Sequence, residues 1–129
     1  MNENNKIRAE EWFEKARRDF EAVKLILQYG GHPDPATLFL QQAVEKYLKG
    51  YLIARGWKLI KTHDLKPLID EAKKHDGNFA KFYDLADKLT QYYIDEKYPP
   101  METDITVEEA ASLCAQAEEL IKLVAVRGA

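Results

Sequence analysis

Apolar residues recur every three or four positions through most of the chain, which is the spacing of helices that bury one face. The first such stretch runs from about Ile7 to Tyr29 and ends at Gly30-Gly31. The second starts at Asp34-Pro35, where Asp suits the N-cap and Pro the first turn, and reaches about Arg55 before Gly56. Its apolar set is wide, so we expect this second helix to lie centrally in the fold.

The rest of the chain predicts one short helix and two longer ones. A short helix follows Thr62-His63-Asp64, and a longer one runs from about Asn78 to Ile94. Pro99-Pro100 interrupts any further helix. Thr106 to Glu109 has the pattern of a capping box that opens a last helix to about Val126. No stretch alternates like a strand, so we predict an all-α, antiparallel up-and-down bundle of four long helices and one short helix.

Length and composition place limits on the class of protein. A chain of 129 residues suits a single domain covering residues 1–129. The only cysteine, Cys114, excludes an internal disulfide and is expected to be a buried, inert thiol. The longest uncharged run, Pro35 to Val44, is far shorter than the roughly 20 residues of a membrane helix. We therefore expect a cytoplasmic protein that has no membrane span.

Charge is distributed unevenly along the chain. The window from Lys46 to Lys66 holds six basic residues and one acidic residue, a net +5, whereas the whole chain carries −3 and the remainder therefore −8. Such a window attracts phosphate, nucleotide or RNA. The alternative interpretation is a solvated helix end and loop, where lysines also suit the helix dipole.

Polar residues in and just before this window supply the candidate ligand-binding site. Four of them lie three or four apart on one face of the second helix, namely Gln42, Glu45, Lys46 and Lys49. They form a polar stripe along a cleft, an intrahelical ion pair or a solvated face. His63 and Asp64 are further candidates, although the same residues are routine caps for the short helix. The three histidines lack Glu-x-x-His spacing, so we predict no metal and no cofactor.

Three segments in order resemble the HEPN domain family: QQAVEKYLKGYL at 41–52, THDL at 62–65 and KYP at 97–99. The N-terminal helix, with Trp12 and Asp19, fits the same resemblance. It implies an antiparallel helical bundle that is usually a homodimer, binds nucleotides, and is often paired with a minimal nucleotidyltransferase. It also adds Lys97 and Tyr98 to the candidate ligand-binding residues.

Many HEPN proteins are metal-independent ribonucleases, and some are toxins of toxin–antitoxin pairs. The resemblance implies an active site with Arg followed four to six residues later by His, yet none of the five arginines here has that spacing. We therefore favour a non-catalytic module that binds a nucleotide, RNA or a nucleotidyltransferase partner. One alternative is a degenerate ribonuclease toxin with His63 as acid–base and Lys97 as phosphate contact. The other is a structural interaction protein whose dimer surface is its function.

Overall fold

The computed structural model describes residues 3–97 and 105–127. For residues 96 and 97 only the backbone is described. These residues form helices and no strands. The five α-helices are α1 (Glu3–Gln28), α2 (Pro33–Ala54), α3 (Leu65–Lys73), α4 (Tyr83–Lys97) and α5 (Val107–Val126), and a 3-10 helix (Gly77–Phe82) precedes α4. The predicted bundle of four long helices and one short helix is confirmed. None of the helices in the described ranges is long and apolar enough to cross a membrane.

The central helix of the bundle is α2. It packs against α1, α3, α4 and α5, and most of its residues from Ala36 to Ala54 are buried. Leu48, Tyr51 and Leu52 are at most 1% exposed. An apolar helix surrounded on several sides has to be apolar over more than one narrow stripe, which is why its wide apolar set predicted this position correctly.

The two longest helices, α1 and α2, approach each other closely. A Cβ atom added to Gly50 would lie 2.6 Å from Cε1 of the Phe13 ring, which is closer than carbon atoms pack. Gly50 therefore lets the Phe13 ring lie directly on the α2 backbone. The turn that reverses the chain contains Gly30, whose φ of 74° is a conformation that suits glycine.

Two predicted helix starts are wrong in detail. Asp34 is not the N-cap of α2, because the helix begins at Pro33 after His32, and Asp34 lies in the first turn. Proline fits that first position since it has no amide hydrogen to leave unpaired, and the Asp34 carboxylate still lies near the positive end of the helix dipole. The segment from Asn78 begins as a 3-10 helix capped by Asp76, and α4 starts only at Tyr83.

Local signals for α3 and α5 are confirmed. Asp64 caps α3 by accepting a hydrogen bond from the Lys66 amide at 3.0 Å. Thr106 caps α5 by accepting one from the Glu109 amide at 3.1 Å. Cys114 is 7% exposed, and this burial raises the pKa of its thiol, as expected for an inert cysteine.

The last residues of α2 and α5 meet at one end of the bundle. The Arg127 Nε lies 2.5 Å from Asp76 Oδ2, and the Arg55 guanidinium donates to the Arg127 carbonyl. Arg55 also stacks on the Tyr51 ring, with its Cζ 3.6 Å from the ring centroid. We call this set of contacts among Arg55, Asp76 and Arg127 the terminal clasp.

Candidate functional site

A buried ion pair on α2 is the centre of the candidate site. Lys49 Nζ lies 2.8 Å from Glu45 Oε2, and the two side chains are only 6% and 4% exposed. Lys49 also donates to the Thr62 carbonyl at 3.0 Å, and its Nζ lies 5.6 Å from the centroid of the Trp12 ring. Burial of charge is costly unless the charges are paired and hydrogen-bonded, and both conditions hold here.

His63 lies beside this ion pair and is oriented by it. Its Nδ1 is 3.0 Å from Glu45 Oε1, and its ring centroid is 4.9 Å from that of Tyr93. A carboxylate paired with lysine accepts hydrogen bonds and donates none, so Nδ1 carries the proton in this contact. The other ring nitrogen, Nε2, therefore faces away from the buried carboxylate. The His63 side chain is 56% exposed, so a ligand has access to it.

Gln41 completes the network and is not among the residues predicted from the sequence. Its side chain is fully buried, and its Nε2 donates to Glu45 Oε1 at 3.1 Å and to the His63 carbonyl at 2.7 Å. Gln42, which was predicted, contributes by donating to Gln41 Oε1 at 2.7 Å. The signal that identifies Gln41 is its spacing, because residues 41, 45 and 49 are each four apart on one face of α2. We call Gln41, Glu45, Lys49 and His63 the polar corner.

The predicted polar stripe is divided between two neighbours. Glu45 and Lys49 form the intrahelical ion pair that was one of the alternatives, and they turn towards the segment before α3. Lys46 instead bonds to Asp19 of α1, with 2.5 Å between Nζ and Oδ2. The capping interpretation of Asp64 is also confirmed, because its carboxylate accepts a hydrogen bond from the Lys66 amide at the start of α3.

Two predicted residues lie at the edge of what the structure describes. The helix α4 ends at Lys97, one turn after Tyr93, which stacks on His63. The side chain of Lys97 and all of Tyr98 lie outside the described residues, so their place in the site stays a prediction. Tyr93 itself is 6% exposed, as expected of a tyrosine that packs the bundle.

Positive charge that has no acidic partner among the described residues lies in the segment between α2 and α3, residues 57–64, which we call the α2–α3 loop. Lys58 and Lys61 are exposed there, and neither forms an ion pair with a described residue. Leu59 and Ile60 between them are 41% and 49% exposed. The other lysines of the window are paired, for example Lys66 with Asp70 at 3.2 Å. The charge that a ligand would meet is therefore concentrated in the loop beside His63.

The chemistry available at this corner is that of an oriented imidazole next to exposed cations. Neutral imidazole accepts a proton at Nε2, and imidazolium donates one, while the lysines attract anions. Among residues 3–97 and 105–127, no group of three or more His, Cys, Asp or Glu side chains is placed to hold a metal ion.

Comparisons with known proteins agree with this architecture. The model of the HEPN domain family matches residues 9–127, which is nearly the whole chain. The chain belongs to the HEPN domain family. This HEPN domain is 26% identical to TT1696 from Thermus thermophilus, whose crystal structure it matches with a TM-score of 0.73 over 91% of this chain and 95% of that one.

An archaeal HEPN homologue, ST0689, has the same fold. It is 21% identical, and the match has a TM-score of 0.71 over 92% of this chain and 96% of that one. No curated protein matches this HEPN domain significantly in sequence.

Proposed function

We propose that this HEPN domain is a binding module for a phosphate-bearing ligand, a nucleotide or a short RNA, which it contacts with the α2–α3 loop beside His63. The observation that carries the proposal is the pair of exposed lysines, Lys58 and Lys61, that have no acidic partner among the described residues. Anionic ligands gain most from charges that are not already neutralised by the protein.

The polar corner supports this proposal by orienting His63. Glu45 and Lys49 neutralise each other, so they contribute little net attraction to an anion. Their contribution is to hold the imidazole with Nδ1 inward and Nε2 outward, two residues along the chain from Lys61. Protonated Nε2 donates to a phosphate oxygen, and neutral Nε2 accepts from a ribose hydroxyl.

The test is a titration of ATP, GTP and a short RNA into the wild-type protein and two double variants. Lys58→Ala/Lys61→Ala removes the loop cations, and we expect its dissociation constant to rise at least about tenfold, equivalent to about 1.4 kcal/mol. Lys15→Ala/Lys74→Ala removes two exposed lysines outside the loop and serves as the control for net charge. Equal affinity in both variants, or no binding by the wild type at millimolar ligand, would reject the proposal.

A minimal nucleotidyltransferase is the protein partner that membership of the family suggests. The α2–α3 loop favours such a contact as well, because Leu59 and Ile60 present apolar surface between two cations. Coexpression with a minimal nucleotidyltransferase tests the pairing. A stoichiometric complex that is lost in Leu59→Ser/Ile60→Ser supports it, and failure to copurify contradicts it.

Metal-independent cleavage of RNA is the second candidate function, and the contact between His63 and Glu45 favours it. A histidine whose Nδ1 is held by a carboxylate is well oriented to take a proton from a 2′-hydroxyl at Nε2. RNA cleavage in the presence of EDTA that disappears in His63→Ala would support this activity. Full cleavage by that variant would reject the assignment of His63.

A further inference from the structure

The α2–α3 loop carries main-chain groups that the fold does not use. Its residues, 57–64, form no helix, turn or bend, so the segment is extended. None of the amide or carbonyl groups of residues 58–61 is hydrogen-bonded to another residue that the structure describes. Four extended residues span about 13 Å. They therefore present the unpaired edge of a short β-strand.

Both ends of this stretch are fixed to the rest of the fold. At its start, the Trp57 amide donates to the Leu52 carbonyl at 3.1 Å, and the Trp57 side chain packs on the hydrophobic core. At its end, side chains of the polar corner donate to the carbonyls of Thr62 and His63, at 3.0 Å and 2.7 Å. A segment that is held in place before it binds loses little conformational entropy on binding.

The side chains of residues 58–61 alternate between the two faces of the extended segment. Lys58 and Ile60 share one face, because successive side chains of an extended chain point to opposite sides. Leu59 and Lys61 share the other face. All four are exposed, and the two apolar side chains are 41% and 49% exposed. Each face therefore offers one positive charge and one apolar contact.

A second copy of this segment does not suit it as a neighbouring strand. Antiparallel pairing of two copies places Lys58 opposite Lys61 twice, and parallel pairing places each lysine opposite its own equivalent. Like charges directly opposite each other on a sheet destabilise the pair, and lysines on edge strands prevent this kind of association. The charges that disfavour a copy of the loop favour a strand with acidic residues at the same two positions.

We propose that residues 58–61 add as a strand to the exposed sheet edge of a partner protein, whose edge strand has the pattern acidic, apolar, apolar, acidic. The two lysines then lie opposite the acidic residues, and Leu59 and Ile60 lie opposite the apolar pair. Alternate residues of the segment exchange about four main-chain hydrogen bonds with that strand. The inference rests on the protein contact proposed above for Leu59 and Ile60, and it names the kind of surface that this contact fits.

A designed β-hairpin peptide is the probe for this contact. It is closed by a disulfide and carries the sequence Glu-Val-Val-Glu in its outer strand. Titrated into the ¹⁵N-labelled full-length protein, it should shift amide resonances of residues 57–62 with a dissociation constant of about 1 mM or below. The matched control is the same hairpin with the outward-facing amides of that strand N-methylated, which keeps the side chains and removes the donors. It should bind at least about tenfold more weakly.

Charge reversal tests the pairing of side chains. Lys58→Glu/Lys61→Glu should weaken binding of the acidic hairpin about tenfold and should bind a hairpin with Lys-Val-Val-Lys in its outer strand instead. Lys15→Glu/Lys81→Glu reverses two exposed lysines outside the loop and is the control for net charge. It should leave the affinity for both hairpins unchanged, because neither lysine lies beside the added strand.

Each outcome decides the inference. Preference for the unmethylated hairpin, together with the exchange of hairpin preference on charge reversal, establishes strand addition. Equal affinity for the methylated and unmethylated hairpins, or no shift of the loop amides at millimolar hairpin, overturns it.

The inference and the proposed function fail separately. Hairpin binding without any binding of ATP, GTP or RNA would reject the proposed ligand and leave strand addition intact. A nucleotidyltransferase complex that is lost in Leu59→Ser/Ile60→Ser, in a protein that ignores both hairpins, would keep the protein contact and reject strand addition.

Discussion

Lys49 of the polar corner and the two lysines of the α2–α3 loop come from the same stretch of basic sequence, yet their charges are used in opposite ways. Lys49 is buried and shares its charge with Glu45 and a backbone carbonyl. Lys58 and Lys61 are exposed and have no described acidic partner. The net charge of a sequence window therefore overstates the positive charge that is available to a ligand, because part of that charge is neutralised inside the fold.

The difference also separates stability from recognition. A charge that is buried and paired becomes a requirement of folding, since removing its partner leaves it desolvated. A charge on an exposed loop contributes little to folding and remains available to a ligand. Variants of the corner should therefore change stability, and variants of the loop should change binding.

Glu45→Ala should have the largest effect on stability. It leaves the buried Lys49 ammonium without its counter-charge, and breaking a buried ion pair in this way costs about 3–5 kcal/mol of unfolding free energy. Urea denaturation followed by circular dichroism measures the loss. Glu45→Leu/Lys49→Met, which removes both charges, should recover most of it. A cost below about 1 kcal/mol for Glu45→Ala would show that the corner is not a folding requirement.

Gly50→Ala should be the next most destabilising substitution. Gly50 follows Lys49 directly on α2. The new methyl group would meet the Phe13 ring, and overpacking typically costs about 1–3 kcal/mol, offset by about 1 kcal/mol of helix propensity. We expect a net loss of up to about 2 kcal/mol of unfolding free energy in thermal or urea unfolding. Gly77→Ala is the matched control, because a Cβ there meets nothing within 4 Å. Equal stability of the two variants would contradict the close approach of α1 and α2.

Asp76→Asn tests a charge contact at the far end of α2. The hydrogen bond from the Asn78 amide lowers the pKa of the Asp76 carboxyl below its ordinary 3.8, and Arg127 lowers it further. A lowered pKa gives stability that is present above the unfolded-state pKa and is lost as the pH falls through the folded-state value.

Asp76→Asn keeps an amide that still caps the 3-10 helix, so the difference isolates the charge. Melting temperatures measured from about pH 6 to about pH 2 should fall less steeply for the variant than for the wild type. Parallel profiles would mean that the Asp76 carboxylate contributes nothing through its charge.

Lys58→Gln/Lys61→Gln should have the smallest effect on stability, within about 0.5 kcal/mol. Its effect should appear in the salt dependence of RNA binding. The association constant falls as salt rises, and each phosphate contact removed makes the slope of log K against log salt shallower by roughly 0.7 for a single strand. Fluorescence anisotropy at several salt concentrations gives the slope. An unchanged slope would place the bound phosphates elsewhere on the protein.

Local signals in the sequence account for most of the fold. The period of Leu65, Leu68, Ile69 and Ala72 predicts the buried face of α3, and Thr106 with Glu109 predicts the start of α5, because neighbouring residues determine both features. The start of α4 was less predictable. Phe79 is buried whether its segment is α-helical or 3-10, so periodicity does not distinguish them.

The candidate site was only partly predictable, because its contacts join residues that are far apart in the sequence. Spacing placed Glu45, Lys46 and Lys49 on one helix face but could not show that Lys46 would pair with Asp19 on the neighbouring helix α1. Gln41 matters through the His63 carbonyl, 22 residues away in the chain, and no local pattern reports such a contact. The partners of long polar side chains depend on how helices pack, and this information is tertiary.

The terminal clasp has a consequence for how the protein opens. Helix ends ordinarily fray independently, and their amides exchange with solvent within short times. Here the Arg127 carbonyl accepts from Arg55, and its guanidinium pairs with Asp76, so the last turn of α5 opens only when it also leaves α2 and the 3-10 helix. Amide hydrogens near Val124 and Ile53 should therefore share one free energy of opening, so that the final turns of two helices far apart in the sequence form a single cooperative unit.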